Sequence, residues 1–519
     1  MLEKKAALVV YGGNVWTGDD ANPSAEAFLV ENGRFTAVGD RESVLSAAGG
    51  KPVVAVDAEG SLVIPGITDA HMHLTAYCKE SLYLNLSGAS SLDALLESVA
   101  QYVRANPARR WFRAVGYNET LWDEPVSPTR EALDAASGGA SVLLSRYCGH
   151  VHVASSRAIR DAGLWDSADA NVTRGEDGEP GGVLNESAAE PILREVTREQ
   201  ETRGMIRALA AEACKRLASM GITGVHACDV PSYGLPEDLT ILGDLRDEGK
   251  LPLRVVSYHD RLPGIGFHSG FGDRFLRYGG LKVFIDGNLG GFTSAMREDF
   301  SDRAGCRGQL NHSDEELFEL LREAALRSVQ TQMHMIGDAA IDQAIRVSGR
   351  VVRELGKPRY PFRFNHVIVS PPDRTDAMLE LGAVIDVQPI QSFTDRSMAP
   401  SRLGRERMKH TYSFRRLYDS GLLMTGSSDG PMENPNPWLG IWAAVCHANE
   451  TERLTLDEAL RIYTWNPHRA ILRGEGFGRI AEGVRADFAI LENDPFKHDA
   501  QSLKDTKIRA TYLEGERTY

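Results

Sequence analysis

Long apolar runs are missing from this chain. None approaches the roughly 18 residues needed to cross a bilayer, and the longest are interrupted by Gly, Asp or His. No membrane partner is therefore expected. Residues 1–11 carry two lysines before a short apolar run, but Gly12-Gly13 ends that run too soon for a secretory segment, so it reads as a strand. Cysteine is scarce, and Cys78, Cys148, Cys214, Cys228, Cys306 and Cys446 include no Cys-x-x-Cys pair. That excludes a zinc knuckle and a disulfide framework, and the reducing cytoplasm is the expected compartment. Basic charge is also short: the formal net charge of −14 would repel a phosphate backbone, so nucleic acid is not an expected partner. Low-complexity tracts are absent too, and 42% hydrophobic with 25% charged residues is the composition of a folded domain with a sizeable core.

What is present is a β-rich frame around a repeating β/α pattern. Short β-rich runs at 7–11, 27–31, 34–38 and 53–57 alternate with Gly-containing turns such as Glu31-Asn-Gly-Arg34. The last forty or so residues repeat this flavour at 488–492 and 507–513. Pairing of the two ends predicts one small β-sandwich from residues 1–62 and 475–519. Between them, strand-like runs at 62–74, 222–227, 253–259, 281–287, 330–337, 362–369, 383–389 and 422–429 end in polar or Gly-rich residues, most followed by a helical pattern. Ser313-Asp-Glu-Glu316 is a capping box before one such helix. Eight runs are the count of an α/β fold of the TIM type, a (β/α)8 barrel over 63–474. The gap of about 150 residues between the first and second runs exceeds what a βα unit needs, so an inserted α/β subdomain is expected at about 76–200, over the C-terminal mouth of the barrel.

The chemistry is concentrated at the strand ends. His71 and His73, two apart at the end of an apolar strand, share a face and could grip one metal ion. Alone, that spacing also fits a structural pair. His334 closes the fifth run, His366 lies on the sixth and Asp429 closes the eighth, so four strands deliver four imidazoles and a carboxylate to one rim. Divalent metals such as zinc favour this donor mix, and catalytic sites keep one position open. Lys282, with Phe284 and Asp286 on the same strand face, is costly inside a barrel unless paired or chemically altered. Two readings stand side by side: an ion pair with Asp286 or another carboxylate, and N-carboxylation to a metal-bridging carbamate.

The motifs Pro65-Gly-Ile-Thr-Asp-Ala-His71-Met-His73, Leu281-Lys-Val-Phe-Ile-Asp-Gly287, His334-Met-Ile-Gly-Asp338, Arg363-Phe-Asn-His366, Val387-Gln-Pro389, Gly426-Ser-Ser-Asp-Gly-Pro431, Tyr463-Thr-Trp-Asn-Pro467 and Gly483-Val-Arg-Ala-Asp487 run over nearly the whole chain. Together they resemble the amidohydrolase superfamily of metal-dependent hydrolases, in its amidohydrolase-3 branch of YtcJ-like and N-substituted formamide deformylase-like proteins. The resemblance implies that His71, His73 and Asp429 hold one metal and that His334 and His366 hold a second, with Lys282 bridging as a carbamate. It implies one or two divalent ions, zinc foremost, and Asp429 as the proton shuttle. The sequence departs from the family pattern at Asn365, where Glu is usual, and at Gly430, where Trp is often found. Both departures are expected to reshape the pocket without removing a ligand.

Cys148-Gly-His150-Val-His152 resembles the insert signature of the family, whose first histidine can reach substrate; His150 is thus a catalytic candidate beside Asp429 and His334, and the alternative is a structural pair. His226 reads as packing, and Gly287-Asn-Leu-Gly-Gly291 as a turn whose amides could meet an anion. Tyr117, Trp122, Phe292 and Phe393 are candidates for a pocket floor or plain core. His259, His268, His312, His410, His447, His468 and His498 are read as structural. The function these residues predict is hydrolysis of an amide, formamide or cyclic amide C–N bond of a small molecule. The same barrel could instead run deamination or carbamate or ester hydrolysis, and a catalytically silent binding protein would need a damaged ligand set. The leaving group is unspecified, and a homodimer is the expected assembly.

Overall fold

A parallel strand buried on both faces needs covering helices, and the chain repeats this β/α unit around a nearly closed ring. The computed structural model describes residues 7–147, 151–169, 171–229, 238–264 and 266–519. Its eight-stranded sheet consists, in chain order, of β1 (Ile67–Met72), β2 (Ile222–Cys228), β3 (Arg254–His259), β4 (Leu276–Phe284), β5 (Gln330–Met335), β6 (Arg363–His366), β7 (Val384–Val387) and β8 (Leu423–Gly426). All neighbours run parallel. The helix Asp314–Leu326 before β5 starts on the expected capping box, with the Ser313 hydroxyl accepting the Glu316 N–H at 3.3 Å and the Glu316 carboxylate accepting the Ser313 N–H at 2.8 Å. The next helix, Asp338–Leu355, buries Ala340, Ile341, Ala344, Val347 and Val351, an apolar stripe at helical spacing.

β1 and β8 share no ladder, and side chains and loop backbone close the ring. The Asp69 carboxylate accepts the Ser428 N–H at 3.2 Å and the Ser428 hydroxyl. Beyond it the Asp429 N–H donates to the His71 carbonyl at 2.8 Å, and the His73 N–H to the Gly430 carbonyl at 2.7 Å. The seam of the barrel is thus built from the same two segments that carry the candidate metal ligands.

The run expected as one strand over 62–74 is two. Leu62–Pro65 pairs with Asn14–Trp16 and with Phe488–Leu491 in a separate six-stranded sheet, and the chain breaks at Gly66 before entering β1. A side chain cannot fit there, because a Cβ on Gly66 would lie 2.1 Å from the Thr223 hydroxyl on β2. The run at 281–287 is also shifted, since β4 starts at Leu276 and ends at Phe284.

Strands from both ends of the chain share one core. The six-stranded sheet contains Asn14–Trp16, Leu62–Pro65, Phe488–Leu491 and Ile508–Leu513, and a four-stranded sheet contains Ala7–Tyr11, Ala27–Glu31, Arg34–Gly39 and Val53–Asp57. Phe488, fully buried, packs edge-on to Phe28 at 4.9 Å and stacks on Tyr512 at 4.5 Å. Phe488→Ala is expected to cost about 3–5 kcal/mol, the usual range for emptying an aromatic core site, measured as a lowered midpoint in denaturant unfolding.

Residues 77–210 form a compact unit of their own. It holds a six-stranded sheet in which Trp111–Tyr117 and Ser141–Arg146 are neighbouring inner strands that run parallel. Tyr117 and Trp122 belong to the apolar core of this unit, with Leu95, Val99 and Leu133, and are not a pocket floor. No helix among the described residues is long and apolar enough to cross a membrane.

Candidate metal centre

β1 delivers His71 and its following turn His73, and the loop after β8 delivers Asp429. Asp429 Oδ1 lies 3.2 Å from His71 Nε2 and 3.4 Å from His73 Nε2. Among the described residues these three form the group whose donor atoms converge closely enough for one ion. Donor atoms on a tetrahedral ion with bonds of about 2.1 Å stand roughly 3.4 Å apart, so the spacing matches.

The hydrogen-bond bookkeeping of His73 points the same way. Its Nδ1 lies 2.7 Å from the Cys228 carbonyl, which can only accept, so Nδ1 carries the proton. In the neutral ring Nε2 then presents a lone pair, and it faces the carboxylate oxygen of Asp429. A lone pair and a carboxylate oxygen held at contact distance in a buried site repel unless a cation, a metal ion or a proton, lies between them. A backbone carbonyl that fixes the tautomer of a histidine is also the usual outer partner of a metal ligand.

His334 and His366 stand beside this group. The His366 ring centroid is 4.3 Å from that of His334 and 5.3 Å from that of His71. Both His366 ring nitrogens are buried without a hydrogen-bond partner among the described residues, an expensive arrangement unless a lone pair is reserved for a ligand. β6 has Arg363 and Asn365 in its interior, so strict alternation would turn residue 366 away. A positive φ of 72° at His366 bends the strand end and brings the imidazole round. Asp429 also sits at positive φ, 62°; such non-glycine strain persists where the surroundings enforce it and concentrates at functional sites. His334 Nε2 lies 3.0 Å from the Gly287 carbonyl, leaving Nδ1 as its lone-pair nitrogen.

The electrostatics favour neutral His71, His334 and His366 and an ionised Asp429. Burial, reinforced by the Lys282 amine, pulls His71 down to about 3 and His334 down to about 4, and burial with the neighbouring His334 holds His366 well below the usual range. For Asp429 burial alone would raise the pKa, but its contacts with His71 and His73 and the nearby His366 outweigh it and keep the carboxyl well below the usual range. Neutral imidazole and ionised carboxylate are the forms that bind metal.

Lys282 is fully inside the barrel, and its Nζ lies 3.2 Å from both His71 Nε2 and Asn365 Oδ1. The ion pair with Asp286 weighed from the sequence does not form. β4 ends at Phe284, and Asp286 turns to accept the backbone N–H groups of Ala295, Ile336 and Gly337 at 2.8–3.0 Å. Asn365 explains the environment of Lys282. As an amide it offers the amine an acceptor without a charge, while its own Nδ2 donates to Asp386. Asp386 is spent on Arg363, which it grips through two bonds at 2.8 and 3.0 Å. Burial lowers the pKa of the Lys282 amine.

Asp69, Cys228, Arg363 and Asp386 were given no role from the sequence, yet they tie the ligand strands together. Asp69 was legible as the residue two before His71 on the same face, and Arg363 as the residue two before Asn365. His226 is structural, hydrogen-bonded to Arg363 at 2.9 Å. His152 pairs with Ser145 at 3.0 Å, and His150 lies outside the described residues. The loop 287–291 is a turn in which the Asn288 side chain accepts the Gly291 N–H at 2.6 Å. Phe393 packs on Trp442 at 4.2 Å and Phe292 on Phe300 at 5.2 Å.

Known proteins resemble this chain over nearly its whole length. Residues 54–519 match the model of the amidohydrolase family. YtcJ of Bacillus subtilis (strain 168) is 29% identical, with 98% of each chain covered. N-substituted formamide deformylase of Arthrobacter pascens is 28% identical over 99% of this chain and 98% of the relative. A solved metal-dependent hydrolase from Pyrococcus horikoshii superposes with a TM-score of 0.80 at 26% identity, over 95% of this chain and 99% of the other.

Proposed function

The chain belongs to the amidohydrolase family, and from that membership we propose that it hydrolyses an amide-type C–N bond, in an amide, formamide or cyclic amide, of a small molecule. The observation that carries the metal part of this reading is the convergence of three buried donor groups, with Asp429 Oδ1 3.2 Å from His71 Nε2 and 3.4 Å from His73 Nε2. His71, His73 and Asp429 would hold one divalent ion, with zinc favoured by the imidazole and carboxylate donors. His334 and His366 would hold a second. Lys282 would join the two sites as a carbamate, formed when the neutral amine attacks CO2 and releases one proton. Its burial, its lowered pKa and the uncharged Asn365 acceptor support that reaction, because each favours the free amine.

A bound divalent ion supplies a Lewis acid for the substrate carbonyl and a water acidic enough to ionise near neutral pH, against about 15.7 in bulk. Asp429, ionised at neutral pH, accepts the proton from the attacking water on its carboxylate and returns it to the departing nitrogen. The Cys228 carbonyl holds the His73 ring in one tautomer throughout. His334, fixed by the Gly287 carbonyl, keeps its orientation toward the same rim. The products are a carboxylic acid and an amine.

The A. pascens relative, named for N-substituted formamides, supports beginning a substrate search there. Zinc-loaded protein screened against formamides, amides, lactams, carbamates and esters is expected to release amine from at least one of the first three. Turnover confined to carbamates, esters or amino-group release from a ring would move the reading to the corresponding chemistry of the same barrel.

A further inference from the structure

The opposite end of the barrel carries an excess of positive charge that the hydrolytic site does not use. Arg254 opens β3, Arg277 lies at the start of β4, and Arg274 just precedes it. With Arg473, Thr68, His226 and His468 they line a small internal cavity. Two buried carboxylates serve this cluster. Asp487 grips Arg254 through two bonds at 2.7 and 2.9 Å, and Glu514 takes Arg254 at 3.1 Å, Arg274 at 2.8 Å and Arg485 at 3.3 Å. Arg277 is left with the Asp273 backbone carbonyl at 3.1 Å. The Arg473 side chain makes no hydrogen bond or ion pair among the described residues, and its guanidinium lies over the Phe477 ring at 4.0 Å.

Arg473 also lines a second, open cavity of about 630 Å³ on the outer side, with Trp465, Arg469, Glu475, Phe477 and Arg479. Arg469 has no carboxylate partner among the described residues, its one side-chain acceptor being the Asn466 amide oxygen at 3.3 Å. Arg479 bonds Asp19 at 3.2 Å, but its buried Nε has no hydrogen-bond partner among the described residues. Glu475 is exposed and makes no ion pair with these arginines. Burial, with Arg277 and Arg254 adding repulsion, brings the Arg473 guanidinium down to about 9. A guanidinium is a planar fork of donors that recognises phosphate and carboxylate groups, and here the fork is presented to an open groove with no internal acceptor.

We infer that this basal groove binds a doubly charged oxyanion, a phosphate either free or carried as the phosphoryl group of a small organic molecule, with Arg473 as central ligand, Arg469 on the outer side and Arg277 on the inner side. The anion supplies the negative charge that Asp487 and Glu514 do not, and it joins the starts of β3 and β4 to the 465–479 segment. Occupancy therefore stabilises the base of the barrel by mass action.

The test is calorimetric titration of the metal-loaded full chain with inorganic phosphate and, separately, with phenyl phosphate, at ionic strength held constant with chloride. Wild type is expected to give saturable binding of at least one of the two and a phosphate-dependent rise in Tm. Binding of both assigns the free anion, and binding of phenyl phosphate alone assigns the organic form. Arg473→Gln, and independently the exposed Arg469→Gln, are expected to weaken binding, by at least about tenfold for Arg473→Gln, the scale of a lost charge-assisted bond. Binding that is unchanged in both variants would place the anion at the metal centre and overturn the inference, as would no saturable binding of either anion.

Discussion

Asp429→Asn is expected to lower kcat at least about 100-fold, the lower end of what a positioned acid–base group contributes, while metal content falls far less. Asn keeps the shape and one oxygen facing His71 Nε2 and His73 Nε2, now 3.2 and 3.4 Å from Asp429 Oδ1, but it cannot carry a proton to the leaving nitrogen. KM should change little, because the carboxylate acts on the reacting water and not on the rest of the substrate. Steady-state kinetics against whichever amide the screen returns, paired with metal analysis of the same preparation, separates a lost proton carrier from a lost ion. A variant within a few-fold of wild type that still holds its metal would move the proton to another group, with His334 first to be tested.

Lys282→Ala is the second large effect. The residue is buried against His71 and Asn365, so truncation removes the one group that can join the His71 and His334 sides of the rim as a carbamate. Metal affinity is expected to drop by about 10–100-fold or more, and activity with it. Lys282→Glu restores a carboxylate in the same place and should keep part of the metal, and a small carboxylic acid added to the Ala variant should recover part of the activity. Protein prepared in 13C-bicarbonate is expected to show a protein-bound carbamate signal that Lys282→Ala lacks. Active, metal-loaded enzyme whose Lys282 is a free amine would leave the lysine only its hydrogen bonds to His71 and Asn365.

Much of this was legible in the linear chain because barrel chemistry sits at strand ends, and strand ends are marked by a change from apolar to polar residues. His71, His73, His334, His366 and Asp429 were singled out as candidates that way, and the capping box at Ser313 and the β-rich ends were read from local pattern. The rest depended on backbone geometry that spacing cannot carry. The split of the run 62–74 turns on the close approach of Gly66 to Thr223, a contact about 160 residues away in sequence. The inward swing of His366 depends on its positive φ, where alternation would have turned it outward. Asp286 shares a strand face with Lys282 in the sequence pattern, but β4 stops two residues early, and three backbone N–H groups claim the carboxylate. The tautomer of His73 rests on a carbonyl of β2, which no side-chain motif records. The basal arginines were invisible for the same reason: Arg254, Arg277 and Arg473 are far apart in the chain and meet only when the barrel closes.

If His71, His73 and Asp429 form a resident metal site, elemental analysis of the purified protein will find the ion. One or two transition-metal ions per chain are predicted for wild type, with His71→Ala and His73→Ala each losing metal while still giving a cooperative unfolding transition. Metal-free protein with full hydrolytic activity, or histidine variants that keep the wild-type metal content, would contradict it.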